Sequence, residues 1–315
     1  MDLTKIPTDP FKSRLAFLKD SFDIFANLTI EYIQKEYPQK LELYQCLDFM
    51  SYSMSETSKS DFETLKKVWF FPTNEATNEL NECLHRILEA AYKSGYDNLR
   101  RALELIVVGS YFSMSETNEK DAIDWLNSQR ETPLFSRAIK SLLNDNRFSN
   151  LEKDTLWVTN LKKFYWYLSD IIHTRGKNYS LETLQPSNFS FNEIRTTQFS
   201  KESLKQLLDT FIETFKNICT CIAITNPILL IGLPIDEKYG FDTPVSGFFR
   251  EHQSNDLWNL LIPDTKEYFR NLISTDLELI SISRWMNSLP DKTEEEIERQ
   301  IEEFKKDIND LKKGN

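Results

Sequence analysis

Glycine and proline are scarce in this 315-residue chain, at 7 and 11 residues. A sandwich or barrel draws its many tight turns from residues that tolerate left-handed or fixed backbone angles, so this composition speaks against an all-β fold. Basic charge is also short. Lys and Arg number 38 against 49 Asp and Glu, for a formal net charge of -11. Nucleic acid and anionic membrane carry the same sign, so long-range attraction to either is opposed, and RNA binding would need a local basic groove. Cys46, Cys83, Cys219 and Cys221 form no CxxC pair, and no His stands near them at a zinc-like spacing. Buried free thiols are therefore expected, with no metal and no cofactor. The N-terminus lacks an apolar stretch behind a basic start, so no secretory signal is read and a reducing cytoplasm is the expected location. The most apolar stretch, 218–234, is broken by Asn226 and Pro227 and falls short of the roughly 20 apolar residues of a membrane span. It predicts a buried helix running into a buried turn, and no membrane partner.

What the chain does hold is apolar mass: 40% hydrophobic and 13% aromatic residues, including 22 Phe and 12 Tyr. That suffices for a packed interior. Apolar residues recur at helical spacing over most of the length, which predicts an all-α fold, either one large helical bundle or two helical subdomains. The expected segmentation is a helical bundle over 1–176, an irregular linker over 177–199, a second helical region over 200–289 with a turn-rich loop at 231–247, and an amphipathic helix over 290–315. In the first block, Leu15, Leu18, Phe22, Phe25 and Leu28 mark one helix. Phe62, Leu65 and Val68 mark a short one closed by Pro72, after which Thr73 caps a helix ending at Gly95. Ala102 to Val108 is apolar nearly all round, the pattern of a helix at the centre of a bundle. Ser149 and Glu152 form a capping-box pattern ahead of a long helix ending near Thr174, with Gly176 as its terminator.

Two polar groupings fall on these helices. Arg101 and Glu104 are three residues apart on the central helix, hence neighbours on its surface. Glu104 is surrounded by Leu103, Leu105, Ile106 and Val107, so a central position would strip it of water and require a partner or a proton. On the long helix, Tyr165, Ser169 and His173 follow one another at i, i+4, beside an apolar face of Leu161, Phe164, Leu168 and Ile171. This stripe reads either as an internal hydrogen-bonded network that fixes helix register, or as a donor, an orienter and a base, with Glu104 or Asp170 tuning the imidazole. A serine in mid-helix is not presented on the strained elbow that hydrolases use. If the chain is an enzyme, the catalytic set is Tyr165, Ser169, His173, Arg101 and Glu104.

The run from Asn98 to Gly109, Asn-Leu-Arg-Arg-Ala-Leu-Glu-Leu-Ile-Val-Val-Gly, followed by Tyr165-x-x-Leu168-Ser169-x-x-x-His173-x-x-Gly176, resembles a broad set of bacterial helical proteins. That set is similar to the HEPN superfamily of helical bundles, many of which are ribonucleases or defence components. The resemblance spans about residues 97–176. Active members carry an Arg a few residues ahead of a His, and none of His85, His173 or His252 has an Arg at that distance. The resemblance thus implies a helical-bundle fold and a setting in antiviral defence or stress response, and it transfers no active site. A contact protein and a ribonuclease with a variant site both remain open.

At the C-terminus, Ile297, Ile301, Phe304, Ile308 and Leu311 alternate spacings of four and three, a coiled-coil heptad seam about three repeats long. Thr293 and Glu296 make a capping box, Glu294 to Glu296 open the helix, and Lys305, Lys306, Lys312 and Lys313 come later, in line with the helix dipole. This helix either docks on its own domain or forms a seam with a protein partner or a second copy of the chain.

Overall fold

The computed structural model describes residues 10–54, 64–114, 119–173, 175, 199–240 and 248–313. These are 82% helical, in 14 α-helices, and no strand occurs among the described residues. The order is α1 (Pro10–Lys35), α2 (Lys40–Tyr52), α3 (Thr64–Leu88), α4 (Tyr92–Ser113), α5 (Glu119–Leu126), α6 (Phe135–Leu142) and α7 (Asn146–Thr155). There follow α8 (Trp157–Ile172), α9 (Lys201–Thr225), α10 (Ile235–Tyr239), α11 (Glu251–Leu260), α12 (Lys266–Thr275), α13 (Leu277–Ser288) and α14 (Glu294–Lys313). The protein is an all-α helical bundle, and no described helix is long and apolar enough to cross a membrane. Residues 1–9, Gly176, the expected linker apart from Phe199, and 241–247 of the expected loop lie outside the described residues.

Three local expectations are corrected. Pro72 does not close a helix, because α3 runs through it and Thr73 is an interior residue. Pro72, Ala76, Leu80, Cys83 and Ile87 form one buried stripe along α3, and packing of that stripe outweighs the roughly 3 kcal/mol that an interior proline costs. The stop after α3 comes from Ala90, at φ 55, with the Ala91 N–H donating to Arg86 O at 2.9 Å. Gly95 instead sits inside α4. The long helix expected after Ser149 is two helices, broken at Leu156, which takes φ 57. The N-cap of α7 is Asp145, whose carboxylate accepts from the Arg147 N–H at 2.8 Å. Glu152 accepts from the Thr159 N–H at 3.1 Å and so helps to start α8.

By proximity the chain divides into two units, each drawn from three stretches. The first comprises Met1–Tyr44, Asn78–Ala102 and Lys163–Thr214. In it, a Cβ at Gly95 would stand 2.8 Å from Leu207 Cδ2 and 3.6 Å from Cys83 Sγ, so bare backbone is what lets α4 approach α9. The buried Tyr37 hydroxyl donates to Asp209 Oδ1 at 2.9 Å, and burial together with that carboxylate pushes the phenol's pKa up. Lys201 bonds Glu36 at 2.6 Å and lies over the Tyr32 ring.

The second unit comprises Gln45–Thr77, Leu103–Lys162 and Phe215–Asn315. Phe49 meets Phe215 and Phe249 edge-on, with ring centroids 6.2 and 6.0 Å away. Ile218, Ile222, Leu229 and Leu230 are buried, as the expected helix and turn over 218–234 require. Hydrogen bonds pair several of its interior polar groups: the Trp157 indole N–H donates to Asn217 Oδ1 at 3.0 Å, and Ser110 Oγ accepts from Thr225 Oγ1 at 2.8 Å, whereas the buried Thr73 Oγ1 meets no partner among the described residues. A small cluster of Leu233, Ile235 and Met286 carries the C-terminal elements. The capping box at α14 is formed as expected, the Thr293 N–H reaching Glu296 Oε2 at 2.9 Å and the Glu296 N–H reaching Thr293 Oγ1 at 3.3 Å.

Candidate functional site

The polar stripe of α8 is split by depth. Tyr165 and Ser169 are 7% and 5% exposed, whereas His173, in the turn just past the last residue of α8, is exposed. Backbone geometry extends the helix to it, since the His173 N–H donates to Ser169 O at 3.0 Å. Asp170, expected to tune the imidazole, is engaged by Arg175: their side chains approach to 3.4 Å and the Arg175 N–H donates to Asp170 O at 3.0 Å. An Arg at a helix C-terminus also meets the negative end of the dipole.

The group that stands beside His173 comes from α4 and is Arg100. Its Nη1 lies 3.5 Å from His173 Nε2, at the outer edge of hydrogen-bond range. The guanidinium carbon sits 5.7 Å from the Tyr165 ring centre, a cation on an aromatic face. A guanidinium, an imidazole and a phenol ring therefore meet within the first unit, with the imidazole accessible.

Arg101 points elsewhere, because one residue turns a helix by about 100°. It lines an open groove of about 520 Å³ with Glu79, Glu82, Arg86, Asp97 and Asn98. Arg101 pairs with Glu79 at 3.2 Å and Asp97 at 3.7 Å, and Asn98, which is buried, donates to Glu79 at 2.6 Å. Charges in this groove are largely matched by their own neighbours, and such exposed pairs are individually weak. Glu104 is half-buried, not stripped of water as a fully central position would require, and belongs to the second unit. Of the expected set, then, Tyr165, Ser169 and His173 share one helix face, Arg101 lines a different groove, and Arg100 joins the imidazole in its place.

Arg100 had a signal in the sequence. Its helical neighbours at -4, +3 and +7 are Tyr96, Leu103 and Val107, all fully buried, so it lies on the apolar side of α4 and must find a partner there. Arg101 has Asp97 and Glu104 at the matching near positions, the signature of a solvated face.

All four cysteines are buried, and Cys83, Cys219 and Cys221 are free thiols. Burial pushes the thiol pKa of Cys83 and Cys219 well up and that of Cys221 to about 12, so these three are not poised as thiolate nucleophiles. Among the described residues no group of three or more His, Cys, Asp or Glu is arranged to hold a metal ion. No family model, curated protein or solved structure matches the chain.

Proposed function

We propose that this protein is a cytoplasmic component of a bacterial defence or stress-response system and works through protein contacts. The observation that carries the contact role is Phe304: it occupies the middle of the α14 heptad seam and is 64% exposed. A large aromatic at a seam position loses stabilisation by facing water and gains it on association, by about 1.5–3 kcal/mol for full burial. The resemblance over residues 97–176 supplies the defence setting, and the dispersal of the expected catalytic set favours contact over catalysis. The test is Phe304→Asp in the native host. Loss of phenotype and of co-purifying protein, at an unchanged melting temperature, supports the role. Full retention of the phenotype removes it.

The Arg100–His173 contact favours a second reading, a ribonuclease with a variant HEPN-like site. An accessible imidazole beside a guanidinium supplies a proton-transfer group and a cation for a phosphodiester, which are what such cleavage uses. The net charge of -11 weighs against RNA as a partner. Incubating the purified chain with single-stranded RNA decides this: cleavage abolished by His173→Ala and by Arg100→Ala sustains the reading, and an absence of cleavage ends it.

A further inference from the structure

We propose that α14 pairs antiparallel with α14 of a second copy of this chain, a step that rests on the protein-contact role. The helix is charged asymmetrically. From Glu294 to Glu303 it carries six glutamates and one arginine, and from Lys305 to Lys313 four lysines and two aspartates. Side by side in parallel, two copies would lay one glutamate-rich half along the other. Reversed, each acidic half lies along a basic one.

The seam fixes a register for the reversed pair. Phe304 occupies a d position, and so does Ile297, while Ile301 and Ile308 occupy a positions. Layers of an antiparallel pair set a against d, so Ile301 faces Phe304 of the second copy. In that register the flanking e positions meet each other. Glu298 then stands beside Lys305 of the second copy, and the twofold axis repeats the pair, giving two cross-helix ion pairs from residues that are both exposed in the single chain. A parallel pair would instead bring Asp307 to Lys312 of the second copy and leave Glu298 without a lysine.

The start of α14 is held by its own chain, which presents the seam. Gln300 Nε2 donates to Tyr239 O at 3.0 Å, and the Lys292 N–H donates to Glu237 O at 2.7 Å. Ile297 and Ile301 remain half-buried, so each keeps surface for a second helix. The resulting contact is isologous and closed, which limits assembly to a dimer. Three heptads make a modest contact, sensitive to salt.

The experiment is sedimentation of the full chain at low ionic strength over a range of concentrations, with Glu298→Lys, Lys305→Glu, the double exchange, and Asp307→Lys. A reversible dimer is expected. Each single reversal replaces two attractive pairs by two repulsive ones and should weaken it on the order of tenfold, while the double exchange restores it and Asp307→Lys has little effect. Dimerisation weakened by Asp307→Lys and indifferent to Glu298→Lys identifies a parallel pair and overturns the proposal, as does a dimer indifferent to all four variants. A chain monomeric throughout also overturns it. In that case the contact role stands or falls on Phe304→Asp in the host, where a different protein would be the partner.

Discussion

His173 and Tyr165 are separated by two turns of one helix face, and truncating each should give opposite results. The His173 imidazole is exposed, with Arg100 Nη1 beside it at 3.5 Å. Removing it leaves the Arg100 guanidinium still seated on the Tyr165 ring, and the 3.5 Å contact that is lost lies at the edge of hydrogen-bond range, so the cost should stay within about 0.5 kcal/mol, the range of ordinary surface changes. Tyr165 is 7% exposed and carries the Arg100 guanidinium on its ring. Tyr165→Ala deletes a buried aromatic, which costs about 3–5 kcal/mol. At roughly 2–4 °C per kcal/mol for a domain of this size, His173→Ala should move the melting temperature by about 2 °C or less, and Tyr165→Ala by about 10 °C. Thermal unfolding followed by circular dichroism measures both. A His173→Ala loss approaching that of Tyr165→Ala would refute the placement of the imidazole in solvent and restore the internal network as its role. Because His173→Ala leaves folding intact, its effect in the host is a clean reading of function: loss of phenotype points to the ribonuclease, retention to the contact protein.

Asp256 has its carboxyl pKa raised by partial burial, with Asp48 adding and His252 opposing. A raised acid pKa penalises the folded state above that pKa, and the penalty fades as pH falls through the folded pKa toward the unfolded one. Asp256→Asn should therefore raise the melting temperature slightly at neutral pH and leave it unchanged below the carboxylate range; an equal effect at both pH values would contradict this. Gly240 takes φ 67 and ψ -133, a region open almost only to glycine, and a Cβ there would collide with the Gln300 side chain that anchors α14. Gly240→Ala should cost about 1–3 kcal/mol and speed proteolysis behind Pro290, and unchanged cleavage would show that α14 is not seated through this contact.

The helices were legible wherever one apolar stripe dominates. In α9, Leu204, Leu207, Leu208, Phe211, Phe215, Ile218 and Ile222 recur at helical spacing and every one is fully buried. Boundaries were less so, because local punctuation competes with packing. Pro72 and Gly95 read as stops, yet each lies inside a helix. At Pro72 the buried stripe of α3 outweighs the ring's cost. At Gly95 the missing side chain serves an interhelical approach and not a turn. The residues that did turn the chain, Ala90 and Leu156, have no intrinsic preference for positive φ. Their conformation is imposed by the helices on either side, which a local pattern does not contain.

The candidate site was legible in its parts and not in its assembly. A spacing of i, i+4 correctly sets Tyr165, Ser169 and His173 on one face, but periodicity has no term for how far along that face the interior extends. Solvent reaches the stripe between Ser169 and His173, where the helix ends. The choice between Arg100 and Arg101 turns on helical phase. Pairing Arg101 with Glu104 follows a local charge rule, and local charge rules describe solvated faces. Arg100 breaks the apolar pattern set by Tyr96, Leu103 and Val107, and a charge that interrupts a buried stripe has to be met by something across the fold. In this chain that is the Tyr165 ring and the His173 imidazole. The residue that violates the pattern of its own helix, and not the one that completes a tidy pair, is therefore the better guide to where distant segments converge.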